Sequence, residues 1–147
     1  MESTFRLGHV HLKVVDLDLA IEFYTQILGF SVTERVNTYC FLSYGKDHHN
    51  LAIHSIRGQA AFPTKNTAGL YHFAIEVPTF EDFRRVFGVL HRSGIATKAV
   101  NHGISKALYF NDPDGNGIEV FLDTRSENNC FEWRGISAPI LENELLS

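Results

Sequence analysis

The strongest constraint on this chain is that its two halves read alike. From Phe5 onward the order is strand, helix, then three strands, and after the Gly-, Pro- and polar-containing stretch Arg57–Ala68 the same order returns. Phe5–Val15 alternates, with Val10, Leu12 and Val14 on one side and Leu7, His9, His11 and Lys13 on the other. A helix follows over Leu19–Leu28, with Asp16 or Asp18 as its cap and Gly29 as its stop. Strands are expected at Phe30–Arg35, Thr38–Ser43 and Asn50–Ile56. In the second half, Leu70–Val77 reads as a strand and Phe80–Ser93 as a helix capped by Thr79 and stopped by Gly94. Thr97–Asn101, Ala107–Phe110 and Ile118–Leu122 read as strands. His9 and His72 stand 63 residues apart at matching places. Ile53-His54 and Ile118-Glu119 stand 65 apart, as do Leu28-Gly29-Phe30 and Ser93-Gly94-Ile95.

The expected fold is therefore α+β, with two βαβββ modules forming a curled mixed sheet around a metal-binding cleft. One domain covers residues 1–147: module one spans about 5–57, module two about 69–123, and a C-terminal tail 124–147. The length suits one domain with a sizeable core. A net charge of −4 without a basic stripe argues against nucleic acid, and no apolar run approaches the ~20 residues of a membrane span. Met1-Glu-Ser-Thr lacks the marks of a secretory signal, and two cysteines, Cys40 and Cys130, fit free thiols in a reducing cytoplasm.

Eight histidines are the unusual item of the composition. Asn111-Asp112-Pro113-Asp114-Gly115-Asn116-Gly117 is turn chemistry, and Glu119 follows inside an apolar strand, where a carboxylate needs a partner. His9 and His72 on first strands and Glu119 on a last strand form a sensible metal set. Two imidazoles and one carboxylate with open positions suit non-haem Fe(II). His54, the repeat mate of Glu119, is either a fourth ligand or a cavity-wall residue. His11 shares the face of His9, but its mate is Ala74, so it is expected to line the cavity and meet substrate.

Gly8-His9-Val10-His11-Leu12-Lys13-Val14, Asp16-Leu17, Phe23-Tyr24 and Leu28-Gly29-Phe30 resemble the opening of the vicinal oxygen chelate superfamily. Asp112-Pro113-Asp114-Gly115-Asn116-Gly117-Ile118-Glu119 resembles its closing motif. That superfamily holds glyoxalase I, extradiol dioxygenases, methylmalonyl-CoA epimerase and fosfomycin and bleomycin resistance proteins. His102-Gly103-Ile104-Ser105 before Leu108-Tyr109-Phe110, the segment His49-Asn50-Leu51-Ala52, and a tail with Trp133, Pro139 and Leu145-Leu146 are similar to the catechol-2,3-dioxygenase-like branch.

The resemblance implies an extradiol ring-cleaving dioxygenase that uses Fe(II) or Mn(II) on a catechol-like aromatic with O2. His49 would be the acid–base group, Tyr109 would orient substrate, and His102 would bind it. It also implies a homodimer. Two other readings stay open: a glyoxalase-like isomerase or lyase with Ni(II) or Zn(II), in which His54 would be a ligand, and a non-catalytic module that sequesters a ligand. This chain departs from many extradiol enzymes in having one such domain, and the stretch from His49 to His72 is long.

Overall fold

A computed structural model describes residues 4–58 and 60–146. The chain divides into two compact units, residues 1–62 and 63–147. Unit 1 runs β1 (Val10–Val14), α1 (Leu17–Gln26), β2 (Ser31–Val36), β3 (Tyr39–Ser43) and β4 (Leu51–Ser55). Unit 2 runs β5 (Phe73–Glu76), α2 (Phe80–Arg92), β6 (Lys98–Asn101), β7 (Ser105–Asn111), β8 (Gly117–Asp123), α3 (Arg125–Asn128), β9 (Ala138–Pro139) and α4 (Glu142–Leu146). The fold is α+β, and the βαβββ order occurs once in each unit.

Each sheet is mixed for the same reason. The first strand of the unit returns, by way of the helix and two antiparallel strands, to lie parallel beside the last. The order is β1-β4-β3-β2 in unit 1 and β5-β8-β7-β6-β9 in unit 2. β1 is parallel to β4 and β5 to β8, while the other pairs are antiparallel. One face of each sheet is apolar and meets its helix. In unit 1 Leu12, Val14, Leu42 and Ile53 are buried together with Phe23 and Tyr24 of α1. In unit 2 Leu108, Val120 and Leu122 are buried together with Phe83, Phe87 and Leu90 of α2. Alternation along a strand then turns every second residue to the opposite face, where the polar candidates stand.

Local chemistry fixes the helix starts. Asp16 caps α1, accepting from the Leu19 amide at 3.0 Å, so Asp18 is free to form an exposed ion pair with Arg35. Thr79 caps α2 through the Asp82 amide and donates its own hydroxyl proton to the Asp82 carboxylate at 2.6 Å. Gly29 and Gly94 adopt positive φ just beyond the helices.

Two sequence expectations need correcting. β1 begins at Val10 and β5 at Phe73, so His9 and His72 lie one residue ahead of the strands rather than within them. The first paired residues of the two parallel ladders are Val10 with Leu51 and Phe73 with Ile118. The tail, to which the sequence assigns no strand or helix, supplies β9 at the edge of the unit 2 sheet. It also supplies α4, whose Leu145 is buried and whose Leu145 carbonyl accepts from Arg84 Nε of α2 at 3.1 Å. Pro139 is tolerated because β9 is an edge strand.

Candidate active site

The hairpin β7–β8 of unit 2 is built on a buried carboxylate. Asp112 Oδ1 accepts from the amides of Asp114 at 3.0 Å and Asn116 at 2.8 Å, and Asp112 Oδ2 accepts from Asn116 Nδ2 at 2.8 Å. Asp112 is only 5% exposed, so these bonds replace the water it has lost. The turn sets the register in which Glu119 stands opposite Tyr109 on β7 and Ala74 on β5. Gly117 begins β8 against the backbone of Tyr71 and His72. A Cβ there would overlap the Tyr71 carbonyl oxygen. The absence of a side chain at Gly117 therefore lets the entry to β5 close in beside β8.

That approach brings His72 Nε2 to 3.0 Å from Glu119 Oε2. The other carboxylate oxygen, Oε1, accepts from the Tyr109 hydroxyl at 2.9 Å. Tyr109 has then spent its proton, so His102 Nε2, 2.9 Å from the phenolic oxygen, is the donor to it. His102 Nδ1 lies 2.7 Å from Ser137 Oγ. Unit 2 thus carries a continuous chain, Ser137–His102–Tyr109–Glu119–His72. Burial, and then the bond to Glu119 and its charge, raise the Tyr109 phenol above its ordinary range, so it remains a donor at neutral pH. His102 sits in a tight β6–β7 turn with Gly103 at φ 80°. The fully buried Thr124 braces the turn by donating its hydroxyl to the Gly103 carbonyl at 3.1 Å.

Unit 1 carries five histidines: His11 and His54 on the face of its sheet opposite α1, and His9, His48 and His49 just outside its strands. Arg6 clasps Asp47 at 2.7 and 3.1 Å, tying the N-terminal arm to the β3–β4 loop. The same loop carries His49, whose ring centroid is 4.4 Å from that of His9. His48 lies in the turn, 3.4 Å from Glu34. Burial, followed by the neighbouring His9, His48 and His11, lowers the pKa of His49 and favours its neutral form. His54 stacks on Tyr39 at 4.5 Å with 14° between the planes, and His11 meets both rings edge-on near 6 Å. Burial, then His54 and His9, lowers the His11 pKa as well.

The proposed metal ligands are therefore distributed over both units: His72 and Glu119 touch within unit 2, and His9 belongs to unit 1 beside His49. Among the described residues no group of three or more His, Cys, Asp or Glu side chains converges closely enough to hold a metal ion. Two participants are not apparent in the sequence, and the close approach at Gly117 goes beyond its reading as a turn residue. Ser137 acts through strand register, which leaves no local motif. Tyr39 reveals its role only once β3 pairs with β4 and sets it opposite His54.

Residues 6–120 match the model of the Glyoxalase/Bleomycin resistance protein/Dioxygenase superfamily. The chain belongs to that superfamily. It is 32% identical over 117 residues to a catechol-2,3-dioxygenase of Bacillus subtilis, covering 80% of this chain and 41% of the relative. It is 34% identical over 126 residues to a biphenyl-2,3-diol 1,2-dioxygenase of Rhodococcus globerulus, covering 84% of this chain and 66% of that protein. The chain therefore spans between two fifths and two thirds of these dioxygenase relatives. A probable lactoylglutathione lyase of Vibrio cholerae is 33% identical over 136 residues, covering 84% of this chain and 95% of the relative. Among solved structures, a glyoxylase/bleomycin resistance protein/dioxygenase domain from Frankia superposes with a TM-score of 0.70 at 23% identity, covering 82% of this chain and 93% of the other. The superfamily fold is thus shared by relatives named for quite different reactions.

Proposed function

We propose that the chain is a metal-dependent extradiol dioxygenase that opens a catechol-like aromatic ring with O2. The observation that carries this reading is the hydrogen-bonded chain from His102 through Tyr109 to Glu119, next to His72. It places a phenol and an imidazole directly beside a carboxylate–imidazole pair. The dioxygenase relatives support the same choice.

The donor types suit a divalent metal. His72 and Glu119 bring an imidazole nitrogen and a carboxylate oxygen together, and Tyr109 orients the carboxylate from its far side as an outer partner should. His72, Glu119 and His9 would hold Fe(II), with Mn(II), Ni(II) or Zn(II) as competitors. His54 is assigned to the cavity wall through its stack on Tyr39. When bound, such a metal supplies positive charge that stabilises a catecholate and a template shared with O2.

The protein groups do the rest. His49 receives the proton of one substrate hydroxyl and returns it to product. In the free protein Tyr109 donates to Glu119 and His102 to Tyr109; with substrate bound, both would turn these hydrogen bonds to its oxygens, and His11 would line the cavity. The exposed Phe5, Leu7 and Tyr71, just ahead of β1 and β5, suit a second copy and a homodimer. The unpaired Cys40 and Cys130 suit the cytoplasm.

One observation favours a second reading, a glyoxalase-like isomerase: the Vibrio relative is matched over nearly its whole length. Paired assays separate the two. Protein purified and loaded with Fe(II) without air is tested for oxygen uptake with a panel of catechols. The Ni(II)- and Zn(II)-loaded forms are tested for turnover of a glutathione hemithioacetal. Uptake with a yellow ring-opened product supports the dioxygenase. Hemithioacetal turnover without uptake replaces it with the isomerase.

A further inference from the structure

The chain Ser137–His102–Tyr109–Glu119–His72 has a direction, and that direction is controlled from its far end. Tyr109 donates to Glu119, so His102 must donate from Nε2. A neutral imidazole that donates from Nε2 accepts at Nδ1, and the group at Nδ1 is the Ser137 hydroxyl, 2.7 Å away. Were Nδ1 to carry the proton of the neutral ring instead, Nε2 would be bare. Tyr109 would then be drawn to His102 and away from Glu119.

Ser137 is held in place by backbone pairing. β9 pairs with β6 antiparallel, Asn101 with Ala138 and Val100 with Pro139, and one further step of that register sets Ser137 opposite His102. The Ile140 amide donates to the Ala99 carbonyl at 3.0 Å and anchors the strand beyond. On the other side, Trp133 stands edge-on to the His102 ring at 6.2 Å and 89°. Its Nε1 donates to the Ile136 carbonyl at 3.2 Å, folding the tail into the loop that presents Ser137. All of these tail residues lie beyond the βαβββ repeat.

We infer that Ser137 is a positioning residue: its hydroxyl donates to His102 Nδ1, fixes the Nε2–H tautomer and so aims the Tyr109 hydroxyl at Glu119. The inference rests on the proposed role of His102 and Tyr109 in ring cleavage for its consequence in turnover, but not for its effect on the histidine itself. It makes the C-terminal tail part of the site. It also predicts that substrate-oxygen recognition by His102 and Tyr109 depends on a strand only two residues long.

The test uses the full chain, metal-free and labelled with 15N-histidine, in wild-type, Ser137→Ala and Ser137→Thr forms. In the wild type the His102 ring should show a protonated Nε2 and a bare Nδ1, with the Nε2 proton slow to exchange with water. In Ser137→Ala that exchange should speed up about fivefold or more, the ratio equivalent to one neutral hydrogen bond, and Ser137→Thr should restore it. With iron and a catechol, Ser137→Ala should lower kcat by about the same factor with little change in KM. A wild-type ring protonated on Nδ1, or unchanged exchange and ring shifts in Ser137→Ala, overturns the inference. If the exchange effect appears but no variant consumes oxygen, the hold of Ser137 on His102 stands and the dioxygenase reading fails.

Discussion

Gly117→Ala is a small change with a calculable consequence. A methyl at this position meets the Tyr71 carbonyl oxygen at overlapping distance and stands 3.3 Å from His72 Cα. Both are backbone atoms, so no side chain can swing aside, and the entry to β5 must move off β8. Forced overpacking of this kind costs about 1–3 kcal/mol. Replacing glycine restricts the unfolded chain and returns about 0.4–1 kcal/mol. The net loss is then about 0–2.6 kcal/mol, or a fall in Tm of up to roughly 10 °C for a chain of this size.

The same movement separates His72 from Glu119, so the affinity for a metal held by both should fall as well. Gly115→Ala is the control: its φ of 85° makes alanine strained, but a Cβ there meets nothing. It should cost about 1 kcal/mol without touching metal affinity. Thermal unfolding followed by circular dichroism, with calorimetric titration of Fe(II) or Mn(II) without air, reads both effects. A Gly117→Ala chain with wild-type Tm and wild-type metal affinity refutes the claim that close backbone approach builds the His72–Glu119 pair.

Other outcomes follow from the same geometry. His9→Ala, His72→Ala and Glu119→Ala should each lower metal occupancy by tenfold or more, whereas His54→Ala and His11→Ala should retain metal, as read by elemental analysis of dialysed protein. Metal loss in His54→Ala would instead shift weight to the isomerase. Tyr109→Phe should weaken metal binding, having lost the bond that orients Glu119, and at saturating metal should bind catechol yet turn over about tenfold more slowly. His49→Ala should fall by 10²–10⁴-fold, as loss of acid–base help generally does. The Asp47 carboxyl is held below its usual range, chiefly by its bond to Arg6. Its contribution to stability is therefore present above the ordinary carboxylate pKa and lost as pH falls through the depressed one. Arg6→Gln should move the Asp47 titration upward in NMR, and an unmoved midpoint would show that the clasp does not hold the N-terminal arm.

Much of the fold was legible because it is local. Alternation in Val10–Val14 and the helical spacing of Ile21, Phe23, Tyr24, Ile27 and Leu28 record which face is buried. Asp16, Thr79, Gly29 and Gly94 record where the helices begin and end. The repeat pairing of His72 with His9 and Glu119 with His54 singled out the residues that meet in unit 2. What escaped was everything set by register over long separations. Ser137 opposes His102 only because β9 joins β6, and Tyr39 covers His54 only because β3 joins β4. The exact first residues of β1 and β5 escaped for the same reason, since each is set by where pairing with a distant parallel strand begins. The strand in the tail escapes the sequence because it has two residues, too few to show an alternation.

The most direct test of ring cleavage is the source of oxygen in the product. The Fe(II)-loaded chain is mixed with a catechol that it turns over under 18O2, and the ring-opened product is analysed by mass spectrometry. Incorporation of both atoms of labelled oxygen, with loss of the label and of the product in Glu119→Ala, is the predicted result. A product that carries no oxygen from 18O2, or full turnover in Glu119→Ala, contradicts the assignment of dioxygenase chemistry to this site.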